Sequence, residues 1–150
     1  MSCTMNKTMN QHRLATIARV EQVFTELLQE CALPEISITD ICRQADINRS
    51  TFYAIYEDVS ALAASFCRSV ERKTADIPHS DTEFIWLFKH VAENPDLFHA
   101  YFKIGIPPTA EDYKTLYLRN GIYGIVKLWV SNGCIETPEK MNQVVLQILK

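Results

Sequence analysis

The sequence predicts an all-α fold, with a small N-terminal head of three helices followed by a compact helical body. Apolar residues recur at steps of three and four along most of the 150 residues, the period of a helix with one buried face. Only four glycines are present, too few for the tight corners of an all-β barrel. Helix-starting residues stand just ahead of the periodic runs, and Pro34, Pro107-Pro108 and Gly133 stand just behind them.

The first helix is expected from Gln11 to about Cys31, with Leu14, Ile17, Ala18, Val20, Val23, Phe24, Leu27 and Leu28 on its apolar face. Ser37 caps a two-turn helix carrying Ile38, Ile41, Cys42 and Ala45, and Asp40 reaches back in a capping box. Asp46-Ile47 is a turn, and Asn48 caps a short third helix from Arg49 to about Tyr56. Asp58 then caps a fourth helix, with Leu62, Ala63, Phe66, Cys67 and Val70 facing inward. The clearest break is Asp76 to Ser80, which divides the chain's organisation from its second half.

Beyond the break, a helix from about Asp81 to Glu93 is apolar nearly all round its first turns. Asn94 as cap and Pro95 at the first helical position open the next helix, which carries Leu97, Phe98, Tyr101, Phe102 and Ile104. Thr109 caps a long helix to about Ser131, with Glu111 and Asp112 where the helix dipole favours acids. Asn132-Gly133 stops it, and Thr137-Pro138 starts the last helix, with Met141, Val144, Val145, Ile148 and Leu149 inward.

Charge and composition exclude several functions. Fifteen Lys and Arg against eighteen Asp and Glu leave a net charge of −3. The first sixty residues hold five basic and eight acidic side chains, so any contact with nucleic acid has little bulk attraction behind it. The apolar stretches stop short of the ~20 residues that span a membrane. The first thirteen residues are polar, so no secretory leader is expected. Five cysteines, an odd number with no C-x-x-C pair, read as free thiols in a reducing cytoplasm. His12, His79, His90 and His99 are scattered, so no metal site is expected, and no cofactor either. No nucleophile stands with a base and an orienter, and no phosphate loop is present, so an enzyme is not expected.

Two short helices joined by a three- or four-residue turn form the helix-turn-helix arrangement, whose second helix enters the DNA major groove. Periodicity alone favours a plain packing hairpin, because short helix pairs are common in all-α proteins. The residues go further: Ser37 to Leu62, SITDICRQADINRSTFYAIYEDVSAL, resembles the DNA-binding signature of the TetR family of transcriptional regulators. The most specific stretch is Thr51-Phe52-Tyr53 with Tyr56 and Leu62, and the preceding helix with Arg13, Ile17, Ala18 and Phe24 matches too. The resemblance covers about Gln11 to Phe66. It implies a three-helix N-terminal helix-turn-helix head over residues 1–60 and a helical C-terminal dimerisation body over 61–150. It also implies a homodimer on a palindromic duplex operator, most often a repressor released by a small-molecule inducer. A body this short, with Trp86 and Phe88 in one helix, the N-P-D-L-F step and the N-G-C-I-E-T-P-E close, resembles a subgroup with a compact C-terminal domain.

Carried over by position, Thr39 reaches a base or phosphate from the second helix. Arg49, Ser50 and Thr51 open the recognition helix, Tyr53 lies one turn along, Tyr56 closes it, and Phe52 packs the head. The chemistry of these side chains suits the roles. Arg49 can grip guanine O6 and N7 or a phosphate. Thr51 offers a methyl to thymine, and Tyr53 and Tyr56 offer hydroxyls to phosphate. Packing in a small core is the competing role for both tyrosines. Arg13 and Arg43 suit phosphate contacts or solvated surface equally. Asp46 stands where the family places Gly, Val59 where it places a phosphate-holding Lys, and Ser50 where a Gly is common. With so few cations, a dimer would release roughly 4–6 counterions, a log–log salt slope of about −4 to −5.

In the body, Trp86, Phe98, Tyr101, Phe102 and Tyr117 fit either an inducer pocket or an aromatic core and interface. The last two helices carry more apolar surface than one neighbour covers. Ile122, Ile125, Val126, Trp129, Met141, Val144, Val145 and Ile148 are expected to form an isologous four-helix dimer interface, with Gly121 and Gly124 allowing close approach. The alternative function is a TetR-shaped interaction protein whose acidic head has weak or lost DNA binding and which acts through a protein partner.

Overall fold

The computed structural model describes residues 2–76, 84–105 and 113–148, with side chains from residue 10 onward and, in the long penultimate helix, from residue 120. Every regular element among the described residues is helical. In order they are α1 (Ser2–Glu30), a 3₁₀ turn (Leu33–Glu35), α2 (Ile38–Gln44), α3 (Arg49–Tyr53) and α4 (Val59–Ala75). Then come α5 (Ile85–Glu93), α6 (Pro95–Ile104), α7 (Tyr113–Ser131) and α8 (Pro138–Ile148). The chain divides into two compact units, Met1–Phe66 and Cys67–Lys150, and the division falls within α4.

The expected starts at Asp81 and Thr109, the expected stop at Pro107-Pro108, and the side chain of Tyr117 lie outside the described residues. Two boundaries differ from expectation. Helix α1 begins at Ser2, well before Gln11, in a polar segment whose periodic pattern is too weak to signal a helix. Helix α3 closes at Tyr53 instead of Tyr56, where Ile55 N–H takes the tighter i→i−3 bond to Phe52 O at 2.9 Å.

In the first unit, local chemistry sets each helix end. The Ser37 hydroxyl accepts from Asp40 N–H at 3.1 Å, and the Asn48 side chain accepts from Thr51 N–H at 2.7 Å. The Asp58 carboxylate accepts from Ala61 N–H at 2.7 Å, satisfying one orphan donor of α4. The capping box at α2 is incomplete. The Asp40 carboxylate takes the Ser37 hydroxyl (2.5 Å) and the Arg43 guanidinium (2.9 Å), not the cap residue's backbone. Helix α2 ends in a Schellman-type turn, with Ile47 N–H bonding Cys42 O at 3.0 Å and Asp46 at φ +50°. Arg19 of α1 reaches across at 3.4 Å to Ala45 O, tying α1 to the end of α2.

The core of this unit is Val20, Val23, Phe24, Leu27 and Leu28 of α1, Ile41 and Cys42 of α2, Phe52 of α3, and Leu62, Ala63 and Phe66 of α4. The Phe24 and Phe66 rings meet edge to face, with centroids 5.7 Å apart. Such a pair adds about 0.5–1.5 kcal/mol to its area burial.

In the second unit, α5 packs on α8 and α6 packs on α7. Phe88 meets Trp129 edge to face at 5.3 Å, and Trp129 Nε1 donates to Glu136 O at 3.1 Å. The buried Asn142 side chain accepts from Phe84 N–H at 2.9 Å, pinning the start of α5 to α8. Asn94 does not cap α6 with its side chain. It donates instead to His90 O at 2.9 Å and so closes the end of α5. Gly133 (φ +79°) and Cys134 (φ +52°) form the turn after α7. Cys134 N–H bonds Trp129 O and Gly133 N–H bonds Val130 O, both at 3.0 Å, the Schellman pattern that Asn132-Gly133 predicts.

Candidate nucleic-acid interface

Helix α3 is short and two-sided. Phe52 is fully buried, at the centre of a ring cluster with Tyr53 (5.8 Å) and Tyr56 (5.6 Å). Arg49, Ser50 and Tyr53 are exposed, Tyr53 by 54%, and Thr51 is half-buried. Thr39, in the first turn of α2, is exposed as well. A hydrogen bond joins the two helices on this surface, where Arg49 Nη2 donates to Thr39 Oγ1 at 2.6 Å.

The polar groups around Asn48 have settled roles. Its side-chain oxygen accepts from Thr51 N–H (2.7 Å), from the Thr51 hydroxyl (2.8 Å) and from the Ser50 hydroxyl (2.7 Å). Each hydroxyl has a single proton, so Ser50 and Thr51 have already given theirs away. Phosphate oxygens only accept, so neither hydroxyl serves a phosphate while this arrangement stands. The Thr51 methyl and the lone pairs of both residues remain for base edges. Thr39 differs, because its oxygen accepts from Arg49 and its own proton is uncommitted to that bond.

Tyr56 is a correction. It is only 6% exposed, and its hydroxyl is sealed from solvent without a hydrogen-bond partner. Burial pushes the phenol pKa up, and the Glu21 carboxylate adds to the rise. The nearby Ser65 hydroxyl and the Arg13 guanidinium pull it down. A side chain so enclosed packs the head and does not reach a phosphate. Arg13 is exposed, and Arg43 is exposed and paired at 2.9 Å with Asp40. An exposed pair of this kind adds little stability and leaves Arg43's charge partly answered. The buried Cys42 thiol has its pKa raised by burial, with the Arg49 guanidinium opposing.

The expected inducer-pocket residues are mostly core. Phe98, Tyr101 and Phe102 are buried, and Trp86 is half-buried. Tyr101 and Tyr123 lie 6.2 Å apart, and Phe102 and Tyr123 6.1 Å. Tyr101 donates its hydroxyl to Glu71 at 2.8 Å, and burial first, then that bond, pushes its pKa far up.

The expected dimer face is also corrected. Val126, Trp129, Met141 and Val145 are buried inside the protomer, by the α6–α7 and α5–α8 packing and the Phe88–Trp129 contact. They are spent on the chain's own core. Ile122, Ile125 and Val144 are half-buried and Ile148 is 64% exposed. Leu128, also 64% exposed, continues the Ile125 stripe, and a Cβ at Gly121 or Gly124 would meet nothing within 4 Å.

Among the described residues no group of three His, Cys, Asp or Glu could hold a metal ion, and no helix is long and apolar enough to cross a membrane. A scan against protein-family models finds no match to this chain, and a search of curated proteins finds no relative.

Proposed function

We propose that this chain is a TetR-like DNA-binding transcriptional regulator. In this reading it acts as a homodimeric repressor and reads duplex DNA with the exposed face of α3. The supporting observation is the division of side chains on α3. Phe52 anchors the helix in the head, while Arg49, Ser50 and Tyr53 point away from it beside Thr39 of α2. A packing hairpin has no need to expose an arginine and a tyrosine together on its shorter helix. Arg49 supplies base or phosphate recognition, and Tyr53 supplies an uncharged phosphate donor. The homodimer in this reading uses the outer stripe of Ile125, Leu128, Val144 and Ile148.

The acidic balance of the head favours a second reading, an interaction protein of the same shape with little DNA affinity. A gel shift with the DNA flanking the chain's own gene, at ~50 mM and ~200 mM salt, separates the two. The regulator reading expects retardation at low salt that is lost at high salt and abolished by Arg49→Ala with Tyr53→Ala. No retardation at low salt supports the interaction protein.

A further inference from the structure

The Arg49–Thr39 bond has an unusual chemical form. An exposed guanidinium so near a helix start would be expected to find a carboxylate, and Asp40 lies next to Thr39 in the sequence. Asp40 is already engaged, holding the Ser37 hydroxyl and the Arg43 guanidinium. Arg49 therefore rests on a neutral oxygen, at 2.6 Å. A carboxylate would orient the guanidinium and cancel its charge. A hydroxyl orients it and leaves the full charge available.

We propose that Thr39 is a positioning residue that holds Arg49 ready to read a guanine, one in each half-site. The proposal rests on the DNA-binding reading of α2 and α3. Both ends of the bond stand on fixed backbone. Thr39 lies in the first turn of α2, just inside the Ser37 cap, and Arg49 is the first residue of α3, just inside the Asn48 cap. The turn between them is held by the Ile47-to-Cys42 bond. A guanidinium carries five N–H donors. Thr39 takes one, and those left include a pair able to meet guanine O6 and N7. A free arginine side chain loses about 2 kcal/mol of rotamer entropy when it is fixed, and the Thr39 bond makes part of that loss before DNA arrives. Guanine is the base that presents two acceptors to such a fork in the major groove.

The test compares Thr39→Val, which keeps the shape and removes the oxygen, with Thr39→Ser, which restores it. Each protein is used to select from a randomised duplex pool at low salt, and the selected half-sites are sequenced. Wild type and Thr39→Ser are expected to prefer guanine over adenine by about tenfold or more at one position. Thr39→Val should keep its salt slope, since no charge is lost, while the preference at that position drops below about threefold. Melting temperatures should agree within about 2 °C for all three, because the bond is exposed. A Thr39→Val protein that binds all sequences more weakly but keeps the guanine preference would make Thr39 a phosphate contact and overturn the proposal. Rotation of the Arg49 guanidinium, followed by NMR on the protein without DNA, gives an independent readout. Thr39→Val should speed that rotation and Thr39→Ser should not; equal rotation in all three overturns the positioning role. If wild type selects no duplex at all, the regulator reading falls and the guanine assignment falls with it. The NMR comparison then still decides whether Thr39 positions Arg49.

Discussion

Phe52 and Tyr53 are neighbours on a five-residue helix, and truncating each to alanine measures whether α3 has an inside and an outside. Phe52 is fully buried between the Tyr53 and Tyr56 rings, so Phe52→Ala removes a whole aromatic side chain and leaves a cavity, a loss of about 3–5 kcal/mol. Tyr53 is 54% exposed. Less than half of its surface leaves water, and with about 200 Å² per aromatic residue at ~25 cal/mol per Å², burial contributes at most about 2 kcal/mol. Much of the ring stays solvated in Tyr53→Ala's wild-type parent, so a loss near 1 kcal/mol is expected. Urea titration read by amide exchange of the α1 core, Val20 to Leu28, reports on this unit. Phe52→Ala should lose at least about three times the stability that Tyr53→Ala loses. Equal losses, or a larger loss for Tyr53→Ala, would refute an outward-facing α3 and remove Tyr53 from any DNA contact.

Other perturbations test the corrected assignments. Val145→Asp places a carboxylate in a site 1% exposed and should unfold the second unit, whereas Ile148→Asp at a site 64% exposed should leave melting nearly unchanged. If analytical ultracentrifugation shows a dimer that Ile148→Asp leaves intact at micromolar concentration, the outer stripe of α8 is not the interface. Tyr56→Phe removes a buried hydroxyl without a partner, so stability should hold or rise, and any DNA complex should persist. A more than threefold loss of DNA binding in Tyr56→Phe would restore its role as a contact. Burial lowers the His90 pKa, with Glu93 opposing. The unfolded chain therefore binds the proton more readily. This contribution to stability is fully present above the unfolded value, about 6.5, and is lost as pH falls below it. Melts from pH 7.5 to 5.5 should show a decline that His90→Gln makes shallower, and parallel curves would contradict the assignment.

The helices and their starts were legible because they depend on local chemistry. Ser37, Asn48, Asp58 and Thr137 each cap the helix that the sequence assigns to them. What periodicity could not supply was the identity of the neighbour covering each apolar face. Helices α7 and α8 are apolar on more than one side, and the pattern is the same whether Trp129 meets Phe88 of its own chain or a second copy. Tyr56 was ambiguous for a related reason, since a tyrosine at a helix end suits a wet phosphate or a dry core equally. Asn94 sits between two helices, and only the direction of its side chain decides which one it serves. On the candidate interface the residue types were legible, but the Arg49–Thr39 bond and the commitment of the Ser50 and Thr51 hydroxyls to Asn48 depend on rotamers.

Asp46 holds a positive φ that glycine would adopt without steric cost, and it places an anion beside the exposed ends of α2 and α3. Aspartate and glycine codons differ by one base. In the proposed regulator, Asp46→Gly, a single nucleotide change, would therefore ease the corner and remove a charge that repels phosphate in one step, with the core untouched.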